Sequence, residues 1–228
     1  MSAKWKSFGS GITYDYAIGT GNLKNNIVDW TANSTDTSAI VTLSGAGQLQ
    51  NSTTYFFSVR GSNDQGSVTI TTDGVFVDLE EPKISSVTEF KNDLDWFGPS
   101  IDGHIFANAS DNGGITKYEF SIGSSAGLDD IITWAESDSN SYLADVSSLG
   151  EDVTYYSNAR VTDVVGNVVT QSSDGFKMDI TNPILGNISI GNEYQSDTSK
   201  VTYVWSDFDD LHSGIADYQL SLIHISEP

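Results

Sequence analysis

Acidic and amide side chains gather in three short stretches of this chain: Asp78-Leu79-Glu80-Glu81-Pro82, Asp111-Asn112-Gly113-Gly114 and Asp163-Val164-Val165-Gly166-Asn167. Carboxylates and amides are hard oxygen donors, and calcium takes about six to eight of them. Asp78, Glu80, Glu81, Asp111 and Asp163 are therefore the candidate ligands of a calcium ion, the one cofactor this sequence suggests. The ion would sit at a joint between successive modules, a known use of such clusters, and Asp207-x-Asp209-x-Leu211 further along lacks the spacing of an EF-hand loop. A further group, Asp179 and Asn182 with Asp207, Asp209 and Asp210, has the same donor chemistry. With 31 acidic residues against 10 basic ones and a net charge of −21, acidic loops also arise as plain solvated surface.

Trp30 and Trp134 are the candidate ligand-stacking residues, because exposed indoles can lie flat against sugar rings; the competing reading is an aromatic that covers its own sheet. Catalysis has little to stand on. His104 and His212 have no nucleophile or metal-ligand spacing beside them, His224 lies near the C-terminus, and no nucleophile elbow, HExxH, P-loop or dinucleotide fingerprint occurs. There is no cysteine, which removes disulfides, thiolate chemistry and cysteine-ligated zinc. So anionic a chain is repelled by phosphate backbones and anionic lipid, and no apolar run approaches the length of a membrane span. Neither nucleic-acid binding nor membrane insertion is expected.

What could bring the three acidic stretches together is an internal repeat. Tyr14-Asp15-Tyr16-Ala17-Ile18-Gly19 returns as Tyr118-Glu119-Phe120-Ser121-Ile122-Gly123, and a third copy begins at Tyr218. Landmarks keep their order between the first two copies: Tyr55 and Tyr155, Arg60 and Arg160, Gly66 and Gly166, Asp73-Gly74 and Asp174-Gly175, Asp78 and Asp179. A period of roughly a hundred residues sets the folding unit, a size able to bury its own core.

Alternation of apolar and polar residues in the complete second copy predicts strands at 84–90, 104–108, 117–122, 131–135, 142–146, 153–161, 167–171 and 176–179. Short strands parted by turn residues, with no helical period, indicate all-β sandwiches. Leu49, Thr53, Tyr55 and Val59 share one spacing with Leu149, Val153, Tyr155 and Ala159, and an aromatic stands on an earlier strand of each of the three copies, at Trp5, Phe106 and Trp205. In these residues the chain resembles tandem fibronectin type III modules, with their E–F corner tyrosine and strand B core aromatic. It is most similar to the divergent modules of large bacterial secreted and surface proteins.

The resemblance implies Ig-like sandwiches in which strands C and F are neighbours. Arg60 and Arg160, the only arginines, then face outward on strand F as cross-strand partners of Asp15 and Glu119 on strand C. It also implies a division into residues 1–82 (a repeat lacking strand A), 83–182 (a complete repeat) and 183–219 (the start of a third). Residues 220–228 resemble the translated end of a sequencing-library adapter and are set aside. The expected function is that of non-catalytic spacer or adhesion modules of an exported or cell-surface protein. Other modules of the same chain, extracellular protein or polysaccharide would be the partners. The alternative is an accessory, carbohydrate-binding region of a secreted polysaccharide-degrading enzyme.

Overall fold

The computed structural model describes residues 1–21, 23–45, 48–89, 93, 95–98, 103–191, 194, 196 and 199–221, and these contain strands and no α-helix. The Phe90 end of one expected strand and most of the 220–228 tail lie outside the described residues. Two compact units emerge. The first comprises Met1–Lys83 with residues 109–117 and 161–169, and the second holds the remainder. The two short segments thus belong with the first unit, although the repeat places them in the second copy.

In the first unit the strands are β1 (Ser2–Lys4), β2 (Thr13–Thr20), β3 (Leu23–Ala32), β4 (Ser38–Ile40), β5 (Thr53–Asn63), β6 (Gly66–Thr71) and β7 (Val75–Val77). β1 pairs with β4, while β3, β2, β5 and β6 form a second antiparallel sheet with β7 also on β5. The core between them is built from Trp5, Tyr14, Ile18, Ala39, Tyr55, Phe57 and Val59. Period two explains the choice: along β5, Tyr55, Phe57 and Val59 turn inward and Arg60 turns out. Trp5 meets Tyr14 edge-on at 5.8 Å between ring centroids, a favoured aromatic geometry.

The strands that lie wholly or mostly in the second unit are β8 (Lys83–Glu89, residue 83 in the first unit), β9 (Trp96–Phe97), β10 (Gly103–Ser110, residues 109–110 in the first unit), β11 (Ile115–Gly123, residues 115–117 in the first unit), β12 (Ile132–Ser137) and β13 (Ser141–Ala144). The series continues with β14 (Thr154–Asp163, residues 161–163 in the first unit), β15 (Val168–Ser172, residues 168–169 in the first unit), β16 (Phe176–Met178), β17 (Asn187–Ile190) and β18 (Tyr203–Ser206). One sheet runs β13-β10-β8 and the other β12-β11-β14-β16-β9, with β15 also on β14. In sandwich lettering these are E-B-A facing C′-C-F with the G strands, the two-sheet arrangement of an Ig-like fold. The expected all-β sandwich class is the class observed. The predicted strands of the second copy match β8 and β10 to β16 to within a few residues at each end; β9, two residues long, is too short for alternation to reveal. Its Phe97 is nonetheless buried, 4.6 Å from Phe176 ring to ring.

Both corner tyrosines are tied back to the preceding segment. The Gln50 N–H donates to the Tyr55 hydroxyl at 2.8 Å, and the Gly150 N–H donates to the Tyr155 hydroxyl at 2.9 Å. One core expectation needs correction. Phe106 is half-buried, and the inward residues of β10 are Gly103, Ile105 and Ala107. The register gives the reason: Ala3 pairs with Ala39 and Gly103 with Ala144, so the counterpart of Trp5 is Ile105, one position before the phenylalanine. The remaining strands, β17 and β18, pair antiparallel and leave Ile188, Val204 and Trp205 exposed. Trp205 is therefore not a core residue, because no facing sheet covers it among the described residues.

Candidate functional site

The acidic stretches form turns before they form anything else. The Asp111 carboxylate accepts the backbone N–H groups of Gly113 and Gly114 through Oδ1, at 2.8 and 3.1 Å. Gly114 adopts φ of 99°, which a β-carbon would strain. In the Asp163 turn, Oδ1 accepts the N–H groups of Val165, Gly166 and Asn167 at 2.9, 2.7 and 2.9 Å. Its Oδ2 accepts the Asn167 side-chain amide at 2.8 Å. Burial works to raise the Asp163 pKa, but these donors outweigh it and hold the carboxyl below its ordinary value.

Asp78 lies near the end of the Met1–Lys83 segment of the first unit and is buried. Its Oδ1 accepts the Glu80 N–H at 3.2 Å, whereas its Oδ2 is buried with no hydrogen-bond partner. One carboxylate oxygen from each of Asp78, Asp111 and Asp163 lies within 4.8 Å of the others, and all three belong to the first unit. The structure thus brings together three of the five residues singled out from sequence. Glu80 and Glu81 are exposed and stand outside this group. Glu80 serves the surrounding loops instead, its carbonyl accepting the Asn167 amide at 2.8 Å and its carboxylate the Asn112 amide at 3.4 Å.

The equivalent residues of the next copy are arranged differently within the second unit. Asp210 repeats the role of Asp111, accepting the N–H groups of His212 and Gly214 at 3.1 and 2.9 Å. Asp179 repeats the position of Asp78, yet both its oxygens are engaged: Oδ1 by Thr181, and Oδ2 by the N–H and hydroxyl of Ser213. The Ser213 hydroxyl is the main reason that the Asp179 carboxyl lies below its ordinary pKa. Of the other acids suggested for this group, Asp207 accepts from Asn187 and Ser206, and Asp209 from the Asp210 N–H. His212 sits 3.1 Å from Asp152 and 3.9 Å from Glu151, its ring 6.1 Å from that of Trp96.

The arginine pairs expected from strand adjacency are present. Arg60 lies opposite Asp15 in the β2–β5 register and donates to its Oδ2 from Nε at 3.1 Å and from Nη2 at 2.9 Å. Arg160 grips both oxygens of Glu119, at 2.9 and 2.7 Å, and this contact raises the guanidinium pKa further. Each guanidinium also covers an indole: Arg60 over Trp30 and Arg160 over Trp134, both 4.4 Å from the ring centroid. Both tryptophans are half-buried, and a face that a sugar would use is taken by the arginine.

One polar feature escaped the sequence reading. Glu89 is buried, accepts the Ser173 hydroxyl at Oε1, and has no partner at Oε2. Burial pushes its carboxyl above the ordinary range. Asp93 and Asp174, both exposed, approach it closely enough to make a second acidic group within the second unit. The available signal was parity, because Glu89 follows Val87 on the inward face of β8.

No protein-family model matches the chain. No curated protein matches it either. Among solved structures it is similar to the crystal structure of the chicken CNTN1 FN1-FN3 domains, with a TM-score of 0.29 and 11% identity, over 90% of this chain and 79% of that one. Among the described residues, no helix is long and apolar enough to cross a membrane.

Proposed function

We propose that this chain consists of non-catalytic sandwich modules with a structural or adhesive role in an exported or cell-surface protein. The observation that carries this reading is the duplicated arginine, carboxylate and tryptophan stack, which uses up on each module the side chains a ligand would seek. Arg60 with Asp15 and Trp30, and Arg160 with Glu119 and Trp134, satisfy one another at the same 4.4 Å ring distance. Repetition of a self-satisfied surface motif suits a unit selected for holding its fold. The closed aromatic cores, centred on Tyr55 and Phe57 in one module and on Phe120, Tyr155 and Phe176 in the other, support the same reading.

Antiparallel sandwiches that bury separate cores resist extension one at a time, and that property tests the proposal. Pulling single molecules of the whole chain should give discrete unfolding events, each releasing roughly 25–30 nm for a module of about 80 to 100 residues. A glycan-binding role predicts a different result. Tryptophan fluorescence should stay unchanged across a panel of soluble polysaccharides; a saturable change that disappears in Trp30→Ala and Trp134→Ala overturns the structural reading, as does extension without discrete events.

A further inference from the structure

We propose that Asp78, Asp111 and Asp163 form a calcium-binding site that joins the end of the first repeat to two loops of the next. The donor set is oxygen throughout, which selects a hard cation. Two Ca–O bonds of 2.3–2.6 Å span about 4.6–5.2 Å between opposite ligands, and the three carboxylate oxygens lie within 4.8 Å of one another. Ligands are in place from three separate segments, so one ion bridges them without rearrangement of the backbone. The remaining positions of its shell fall to bidentate use of these carboxylates and to water.

The second and independent observation is the unpartnered oxygen of Asp78. The residue is only 7% exposed, and its Oδ2 meets no hydrogen-bond donor. A buried carboxylate oxygen without a donor is costly, and the cost is relieved by a hydroxyl, a proton or a cation. This oxygen faces the Asp111 turn: the point where a β-carbon of Gly113 would sit is 2.5 Å from Asp78 Oδ2 and 3.4 Å from Asp111 Oδ1.

The chain contains its own control. At the equivalent aspartate of the next copy, Asp179, the missing donor is supplied by Ser213, which stands where the first joint has Gly113. One copy satisfies its aspartate internally with a hydroxyl. The other has no side chain at that position, retains the carboxylate oxygen bare, and adds Asp163 as a third acid. Asp163 and Asp111 are meanwhile held by backbone N–H groups, which orient their carboxylates without neutralising them. This inference does not depend on the proposed structural role, and its test is separate from the pulling and glycan experiments.

The experiment titrates calcium chloride into chelator-treated whole chain, measuring binding by calorimetry and thermal unfolding by circular dichroism. One calcium ion should bind to the Asp78 group, and a hundredfold excess over Kd should raise the midpoint by about 5–10 °C. Asp78→Asn should remove both the heat of binding and the shift while preserving the β-sheet spectrum. Asp179→Asn should leave both unchanged. The proposal is overturned if the native chain binds no calcium, if its midpoint is the same in chelator and in calcium, or if Asp78→Asn responds as the native chain does. Should that variant fail to fold, Gly113→Ser replaces it, the added hydroxyl imitating Ser213; persistence of calcium binding there overturns the proposal.

Discussion

Removing the charge from Glu119 and from Arg160 in a double-mutant cycle tests whether strand pairing between the C and F strands orders the surface as well as the core. The structure distinguishes this pair from its counterpart in the first module. Arg160 donates to both oxygens of Glu119 at 2.9 and 2.7 Å, and the Glu119 side chain is 13% exposed. Arg60 reaches a single oxygen of Asp15, and the two side chains are 35% and 30% exposed. Exposed pairs couple by about 0.2–1 kcal/mol, and bidentate geometry with partial burial moves a pair toward the top of that range. We expect about 1 kcal/mol for Glu119→Gln with Arg160→Met, and about 0.3 kcal/mol for Asp15→Asn with Arg60→Met. Methionine keeps most of the aliphatic stem over the indole, so that the cycle cancels what remains of the Trp134 contact. Urea unfolding of each set of four proteins, with m-values unchanged across the set, supplies the energies. Added salt should weaken the Asp15 pair more than the Glu119 pair, because exposed charges are screened first. A coupling for Arg160 and Glu119 that is no larger than that for Arg60 and Asp15 refutes the reasoning from geometry.

Two further substitutions probe the interior. Tyr155→Phe strands the Gly150 N–H that now donates at 2.9 Å, and should cost about 1–3 kcal/mol in denaturant unfolding; an unchanged midpoint would mean that water replaces the hydroxyl freely. Burial raises the folded-state pKa of Glu89, so the stability tied to its protonated form is complete below the ordinary glutamate range and is lost as pH rises through the raised value. Glu89→Gln should therefore unfold at nearly the native midpoint in mild acid and at a progressively higher one than native toward neutral pH. Parallel midpoint curves for the two proteins would show that Glu89 does not titrate in this way.

Nearest neighbours along the chain made most of the fold legible. Alternation in Tyr55-Phe56-Phe57-Ser58-Val59-Arg60 states which side chains face inward, and the same pattern at 153–161 repeats it. Turn residues mark where strands stop, and the resemblance to fibronectin-like sandwiches implies the strand adjacency from which the pairing of Arg60 with Asp15 follows. The candidate cation ligands were legible as a set of acidic turns, each built by contacts within a few residues, as at Asp111 and Asp163. Less local matters were not. The parity of β10 depends on register against β13, which moved the core position from Phe106 to Ile105. The short β9 pairs in parallel with β16, a contact that no local pattern announces.

Sequence by itself determined the two-residue period, the outward arginines and the supply of hard oxygen donors, because each follows from residue type and spacing along a pleated strand. Tertiary structure alone decided that Asp78 meets Asp111 and Asp163 while Glu80 and Glu81 stay outside, and that Trp30 and Trp134 lie under arginines. It also decided that one aspartate finds Ser213 where its counterpart faces Gly113. The physical reason is distance: a carboxylate's partners are fixed to a few tenths of an ångström by the packing of segments that are dozens of residues apart, and no local periodicity carries that information.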